Sequence, residues 1–276
     1  MLKSVVIPPH LQSVCDAIMP LVETYKRKLK NRSPVRASSP EPILNAQFGC
    51  MGGKTDVGGG DWVQGVSRPE FEATLGMFLA YNQWVRMDKT WVDVHEYVYP
   101  IQSKSGPSVA GEQPPTTTTT LVTTRVTLGD QYHVHHTKTE EGAFVEVVVD
   151  GRGCARIQTS AEECVTVKAL PSVVLPQKVC LRKRRSFYTK SWRFDLTMSW
   201  VAESRTGAEN AQRNDEDAVY DISITFQPCA DGLSSTTYIS VSLVLKLTDI
   251  TVGNSNVACH VVQTAEGQAS HTTHQT

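Results

Sequence analysis

The sequence predicts an all-β fold with two flanking helices. Ten short runs of apolar or alternating residues follow one another from Trp91 to residue 249, a pattern typical of antiparallel sheets that close or nearly close into a barrel. Ahead of them, apolar residues recur at helical spacing over residues 9–30 and again after Ser67. With 276 residues, the chain is long enough to bury a substantial core in such a fold.

Composition narrows the class of protein. The 27 Lys and Arg residues nearly balance the 28 Asp and Glu residues, so a polyanion would have to be bound by a local cluster such as Arg182–Arg185. Seven cysteines are scattered without a Cys-x-x-Cys pair, which disfavours a disulfide framework or a zinc site and indicates a reducing, intracellular compartment. No uninterrupted apolar span is long enough to cross a bilayer, so no membrane partner is predicted.

An amphipathic helix is predicted at the amino terminus, as a first unit over residues 1–32. Its apolar residues recur at helical spacing: Leu11, Val14, Cys15, Ile18, Leu21, Val22, Tyr25 and Leu29. Residues 31–42 are rich in Ser and Pro and indicate a linker. The first strand is predicted from Ile43 to Phe48, and a glycine-rich loop over residues 49–60.

A second helix is predicted after Ser67. Ser67 is a suitable N-cap, Glu70 completes a capping box, and Pro69 fits within the first turn. The stripe predicted to be buried comprises Phe71, Leu75, Phe78 and Leu79.

The β runs belong to the second predicted unit, a barrel domain over residues 43–250. They cover residues 91–98, 121–128, 131–136, 144–149, 154–158, 163–168, 179–188, 192–201, 219–227 and 237–249. Residues 100–120 and Glu203 to Glu216 predict long surface loops. Residues 251–276 are polar and predict a flexible tail.

Alternation of side chains predicts where the charges of three strands point. In the basic run, Cys180, Arg182 and Arg184 share one face, opposite Lys183 and Arg185. The next strand has an apolar face that begins with Trp192, and its opposite face carries Arg193, Asp195, Thr197 and Ser199. In the strand 219–227 the polar face carries Asp221, Ser223 and Thr225.

These polar faces have two interpretations. Periodicity alone is compatible with half-exposed antiparallel sheets whose arginines form a solubilising edge. The alternative is a polar barrel lumen or an anion-binding groove, in which Arg182, Arg184 and Arg193 converge. Buried guanidinium groups need anionic partners, and a triphosphate or internal carboxylates such as Asp195 and Asp221 would serve.

Four motifs, in order along residues 43–249, resemble the metal-dependent RNA 5′-triphosphatases of fungal and protozoan mRNA capping, which have the triphosphate tunnel fold. AQFG (46–49) is similar to the end of that family's first tunnel strand, Glu-x-Glu-x-Lys-Phe-Gly, and DWVQGVSRPEF (61–71) to its Phe-x-x-Gly-Val-Ser element. LRKRRSFYTKSWRFDLT (181–197) resembles its basic strand and its Trp-Arg-Ile-Asp-Leu-Thr strand. VYDISITF (219–226) stands where the family has a second glutamate-rich strand.

The resemblance implies an antiparallel eight-stranded tunnel barrel and a specific chemistry. In that family, basic side chains hold the triphosphate and two glutamate-rich strands hold a divalent ion, Mg²⁺ or Mn²⁺, which neutralises charge as the γ-phosphate leaves. Here it implies that Arg182, Arg184, Arg193 and Asp195 are the catalytic residues and that Asp221 is a weak metal ligand.

The metal-binding positions of this chain depart from the family pattern. Ile43, Asn45 and Gln47 replace the first strand's Glu, Glu and Lys, and Ser223 and Thr225 replace glutamates of the last strand. Cys180 replaces the first cation of the basic strand, and Glu41 and Glu216 are off-register candidates for a metal ligand. Phosphate contacts are therefore better preserved than metal contacts.

Two functions follow from this pattern. The first is an RNA 5′-triphosphatase that binds the 5′ end of RNA at the first step of capping. The second is a catalytically inactive relative, a possible pseudoenzyme, that binds RNA ends or serves as a scaffold in a capping or transcription complex. The resemblance also implies a nuclear location and a guanylyltransferase or another capping subunit as partner.

Overall fold

The protein folds as an antiparallel β barrel covered by helices on its outer wall. The structure is a computed structural model, and it describes residues 7, 9–31, 41–51, 62–99, 120–128, 132–149, 153–167, 178–215, 217–228, 234–252 and 259–265. The predicted linker 31–42, the glycine-rich loop 49–60 and the loop 100–120 lie almost entirely outside these residues. Within the described residues, no helix is both long and apolar enough to span a membrane.

Eleven strands are described. They are β1 (Glu41–Met51), β2 (Trp62–Gln64), β3 (Arg86–Met87), β4 (Val92–Tyr99), β5 (Thr120–Leu128), β6 (Tyr132–Val149), β7 (Gly153–Val167), β8 (Lys178–Tyr188), β9 (Trp192–Ala202), β10 (Val219–Phe226) and β11 (Cys259–Ala265). The runs 131–136 and 144–149, predicted as separate strands, are joined in β6, and 154–158 and 163–168 are joined in β7. β11 lies within the segment predicted as a tail and pairs with β6.

Eight of the described strands pair in a circuit, as the resemblance implies. Antiparallel pairing runs from β10 through β9, β8, β4, β5, β6 and β7 to β1. β1 then pairs with β10 as well, over Asn45–Gln47 and Ser223–Thr225. β2, β3 and β11 lie outside this circuit and pair with β1, β8 and β6.

Four helices are described, two more than predicted. They are α1 (Gln12–Lys30), which a 3₁₀ turn at Pro9–Leu11 precedes, α2 (Arg68–Ala80), α3 (Arg205–Asn214) and α4 (Thr236–Val252). The capping box of α2 is present, since Ser67 Oγ accepts from the Glu70 N–H and the Glu70 carboxylate accepts from the Ser67 N–H. On α2 the stripe of buried residues differs from the prediction, because Thr74 is buried whereas Leu79 is 46% exposed.

The strand predicted at residues 237–249 is wrong, because this segment forms α4. Its alternating β-branched residues imitate a strand pattern, yet Ile239, Leu243 and Leu247 are fully buried at the four-residue spacing of a helix. Packing against α1 therefore overrides the weak strand propensity of the sequence.

The loop predicted from Glu203 to Glu216 is also wrong, because most of it forms α3. Ser204 caps this helix by accepting from the Gly207 N–H, and an Arg205–Glu209 ion pair spans one turn. Ala208 is its single buried residue, so the segment lacks the apolar periodicity that marks a helix.

The apolar core lies between the barrel wall and the helices. The outward residues of β9 and β10 are buried there: Trp192, Phe194, Leu196, Ile222, Ile224 and Phe226. Aromatic rings of α2 and the barrel pack edge to face, for example Phe78 with Phe187 and with Phe194. Because the apolar faces point outward, the polar faces of the same strands point into the barrel.

Candidate functional site: a polar barrel cavity

A cavity of about 350 Å³ lies inside the barrel. The described side chains that line it come from β1, β2, β4, β7, β8, β9 and β10: Ile43, Asn45, Gln47, Gln64, Val94, Glu96, Gln158, Ser160, Glu162, Arg182, Arg184, Arg193, Asp195, Thr197, Asp221, Ser223 and Thr225. This set includes the five residues that the sequence analysis names as catalytic or metal-binding and the five replaced positions of the two glutamate-rich strands, but not Cys180. The polar faces therefore enclose a lumen, and the half-exposed sheet with a basic edge is excluded for these strands.

The three arginines of the cavity differ in whether a protein carboxylate neutralises their charge. Arg182 lies 2.9 Å from the carboxylate of Glu96, and Arg193 lies 2.9 Å from that of Asp195. Arg184 has no such ion pair with a described residue, and its Nε, like that of Arg182, is buried without a hydrogen-bond acceptor. One guanidinium group in the cavity is therefore left without a described protein carboxylate.

Two carboxylates of the cavity are absent from the sequence prediction. Glu96 comes from β4 and Glu162 from β7, and Glu96 is 4% exposed. Neither lies in a motif shared with the triphosphatase family. Alternation within VDVHEYVY would have placed Glu96 on one face with Val94, but the sequence gives no indication that this face points inward.

Asp221 is a buried acid in an unfavourable environment. Burial raises the pKa of its carboxyl above the ordinary value, and the Arg182 guanidinium and a hydrogen bond from Gln64 only partly offset that effect. Its Oδ1 is buried and accepts no hydrogen bond from the described residues. Asp221 therefore presents an unsatisfied oxygen to the cavity.

Solved structures of RNA triphosphatases have this architecture. S. pombe Pct1 RNA triphosphatase, in complex with the Spt5 CTD, is 12% identical, with a TM-score of 0.56 over 91% of this chain and 96% of Pct1. The Mimivirus capping enzyme triphosphatase is 10% identical, with a TM-score of 0.54 over 85% of this chain and 97% of that protein. This chain has the RNA triphosphatase fold. No protein-family model and no curated protein matches its sequence.

Within this triphosphatase fold, β1 and β10 meet at a seam formed by Asn45–Gln47 and Ser223–Thr225, and the side chains of the seam carry no charge. Asn45 is paired with Thr225 and Gln47 with Ser223, and all four side chains line the cavity. The resemblance leads one to expect glutamates at the positions of Asn45, Ser223 and Thr225 and a lysine at that of Gln47. The Oδ1 atom of Asn45 is buried without a hydrogen-bond donor among the described residues, so the seam holds amide and hydroxyl groups instead of carboxylates.

A catalytic Mg²⁺ or Mn²⁺ does not fit the described residues. Such ions need several hard oxygen ligands, usually with more than one carboxylate. Four described carboxylates line the cavity, but Glu96 and Asp195 are engaged by Arg182 and Arg193. No group of three His, Cys, Asp or Glu residues among those described is arranged to hold a metal. Glu41 lies at the exposed start of β1 and is not among the lining residues, and Glu216 lies outside the described residues.

Proposed function

We propose that this chain binds the 5′-triphosphate end of RNA inside the barrel cavity. The observation that carries the proposal is the convergence of Arg182, Arg184 and Arg193, from two neighbouring strands, on one cavity. Guanidinium groups bind phosphate oxygens through charge-assisted, often bidentate hydrogen bonds. The choice of RNA rests on the fold, which this chain shares with RNA triphosphatases.

Arg184 makes the first phosphate contact in this proposal. Its charge has no described carboxylate partner, so a phosphate oxygen binds it without displacing a protein group. Arg182 and Arg193 contact the remaining phosphates when Glu96 and Asp195 exchange part of their ion pair for the ligand. Asp195 then acts by holding Arg193 in position.

Binding in this proposal does not depend on a divalent ion. The neutral pairs at the β1–β10 seam supply too few carboxylates for an ion, so the arginines alone neutralise the phosphates. The chain is then a binding protein with the architecture of a capping triphosphatase. The same proposal includes a nuclear site of action and a partner that is a guanylyltransferase or a transcription subunit. The Pct1 complex with the Spt5 CTD favours a partner of this kind.

Removal of the γ-phosphate is the second candidate function, and Asp221 favours it. The unsatisfied Oδ1 and the raised pKa suit a carboxylate that orients a water and accepts its proton. The first candidate takes precedence because the cavity offers no described group that stabilises the leaving oxygen beyond the arginines themselves.

Binding of RNA oligonucleotides of one sequence tests the proposal. Triphosphate-ended RNA is expected to bind more tightly than monophosphate-ended or hydroxyl-ended RNA, with equal affinity in EDTA and in Mg²⁺ or Mn²⁺ at constant ionic strength. Arg184→Ala is expected to abolish the preference. Arg205→Ala, which removes an exposed arginine of α3, is the matched control and retains it.

Release of γ-phosphate, measured on the same samples, separates the two candidates. Turnover that disappears in both Arg184→Ala and Asp221→Ala establishes the hydrolase. Triphosphate-dependent binding without turnover establishes the binding protein. Equal affinity for all three RNA ends contradicts both.

A further inference from the structure

The row of side chains that contains Arg193 continues beyond the cavity. Residues directly opposite each other in antiparallel strands lie on the same face of the sheet. Arg193 is opposite Thr225 on one side and Tyr188 on the other, and Tyr188 is opposite Arg86 of β3. Tyr188 and Arg86 therefore extend the inner face of the barrel outward from a cavity arginine.

Arg86 and Tyr188 form a stacked pair at this position. The guanidinium carbon of Arg86 lies 3.8 Å from the centroid of the Tyr188 ring, which is the geometry of a cation–π contact. Arg86 is exposed, and its side chain forms no ion pair or side-chain hydrogen bond with the described residues. The tyrosine ring thus holds a planar cation in place and leaves its other face and its donors to solvent.

We propose that the Arg86–Tyr188 pair binds the nucleoside that carries the triphosphate. The inference rests on the proposed function, since it requires phosphates at Arg184 and Arg193. β3 is two strands from β9, about 10 Å at the usual strand spacing, which is on the scale of one nucleotide. A base stacks on the free face of the Arg86 guanidinium, and the donors of Arg86 contact the α-phosphate or the ribose.

The Arg86–Tyr188 pair gives the cavity a preference for ligands that carry a base. Stacking on a guanidinium plane accepts any of the four bases, so no preference for the base sequence is expected. Inorganic tripolyphosphate has no nucleoside and therefore makes no stacking contact with the Arg86–Tyr188 pair. A nucleoside triphosphate and a triphosphate-ended RNA share the chemistry, and the experiment includes both.

Binding of inorganic tripolyphosphate, ATP and triphosphate-ended RNA to the full chain and its variants tests the inference. Arg86→Ala is expected to weaken ATP and RNA binding about tenfold and to change tripolyphosphate affinity less than about twofold. Arg86→Lys keeps the charge but not the plane, and it is expected to produce most of the same loss. Arg205→Ala is the control, and thermal unfolding reports the fold of each variant.

Each alternative result has a defined meaning. Equal losses for all three ligands, or a full rescue by Arg86→Lys, make Arg86 a general counter-charge and overturn the inference. A loss for RNA but not for ATP places the contact beyond the first nucleoside and also overturns it. Failure of the unmodified chain to bind any of the three ligands refutes the proposed function itself, and the inference with it.

Discussion

The arginines of the cavity are chemically identical but differ in what binding would cost. Arg182 and Arg193 each face a carboxylate at 2.9 Å, and the side chains of those carboxylates are nearly inaccessible to solvent. A ligand that binds either arginine weakens its ion pair with Glu96 or Asp195. The buried carboxylate is then left partly unpaired, which costs free energy. Arg184 has no such partner among the described residues, so its contribution to affinity is not reduced by an exchange.

Arg184→Gln and Arg193→Gln are expected to separate affinity from stability. Loss of a hydrogen bond to a charged phosphate corresponds to about 1.5–3 kcal/mol, so Arg184→Gln is expected to weaken binding of triphosphate-ended RNA at least tenfold, with little loss of stability. Arg193→Gln leaves the buried Asp195 unpaired, and the free energy of unfolding is expected to fall by about 1–3 kcal/mol. Titration calorimetry and urea denaturation measure the two effects. The same stability for both variants would show that the Arg193–Asp195 pair is not structural.

Asp221→Asn is expected to tighten triphosphate binding at neutral pH. The carboxylate repels phosphate, and a bound phosphate raises its pKa further, so the unmodified chain takes up a proton on binding and its affinity rises as the pH falls. The variant has no such proton, so its affinity at about pH 7 is expected to be severalfold higher and to change less with pH. Titration of both proteins with the same ligand from about pH 5 to about pH 8 cancels the ligand's own ionisation.

The free energy of unfolding, like the affinity, is expected to fall as the pH rises and Asp221 loses its proton. Its folded-state pKa is raised above the unfolded value, so the folded chain binds the proton more tightly, and this contribution is lost as the pH rises through the folded pKa. Asp221→Asn removes that dependence. Identical pH profiles of stability and of binding for the two proteins would contradict the assignment.

Individual elements differ in how far the sequence determines them. Alternation in β9 and β10 correctly predicted which side chains share the inner face, because a strand with one apolar and one polar face has one way to pack against helices. In β8, which has cations on both faces, alternation predicted only that Arg182 and Arg184 lie together. Glu96 and Glu162 were missed because neither lies in a motif shared with the triphosphatase family. The helices α3 and α4 were missed because α3 buries a single alanine and α4 is composed of residues with strand propensity.

Paired substitutions in α4 test its helical packing. Leu243 is fully buried, and Leu243→Ala is expected to lower the free energy of unfolding by about 2–5 kcal/mol through loss of apolar contact and creation of a cavity. Tyr238 is 41% exposed, and Tyr238→Ala is expected to change it by about 0.5 kcal/mol or less. Urea denaturation measures both. Comparable losses at the two positions would contradict the helical orientation.

The whole molecule is a barrel whose apolar side chains face outward. α1, α2 and α4 cover its outer wall, so the interior can be polar without loss of a hydrophobic core. The same architecture in RNA triphosphatases is here combined with a neutral β1–β10 seam. The seam side chains line the cavity and are not among the buried core residues, so the chemistry of the cavity and the packing of the core depend on different residues.

Carboxylates placed at the seam are expected to create a metal site. Asn45→Glu combined with Thr225→Glu puts two acids opposite each other inside the barrel, which destabilises the metal-free protein through mutual repulsion and burial. Mn²⁺ is expected to raise the melting temperature of this double variant in a saturable manner and to leave the unmodified chain unchanged. Asn45→Gln with Thr225→Ser, which adds no charge, is the control. A saturable Mn²⁺ shift in the unmodified chain would refute the assignment of a metal-independent cavity.

The extent of strand pairing along β1 determines where the barrel opens most readily by local unfolding. On one side, β1 pairs with β7 from Glu41 to Gly49, whereas on the other it pairs with β10 over Asn45–Gln47 only, before β2 pairs with its end. Thermal opening begins where the fewest backbone hydrogen bonds must break, so amide protons at this short joint should exchange with solvent sooner than those of the β1–β7 ladder. Opening of this joint would turn the closed cavity into an open trough, and an RNA bound there as proposed could then leave sideways without being drawn out end first.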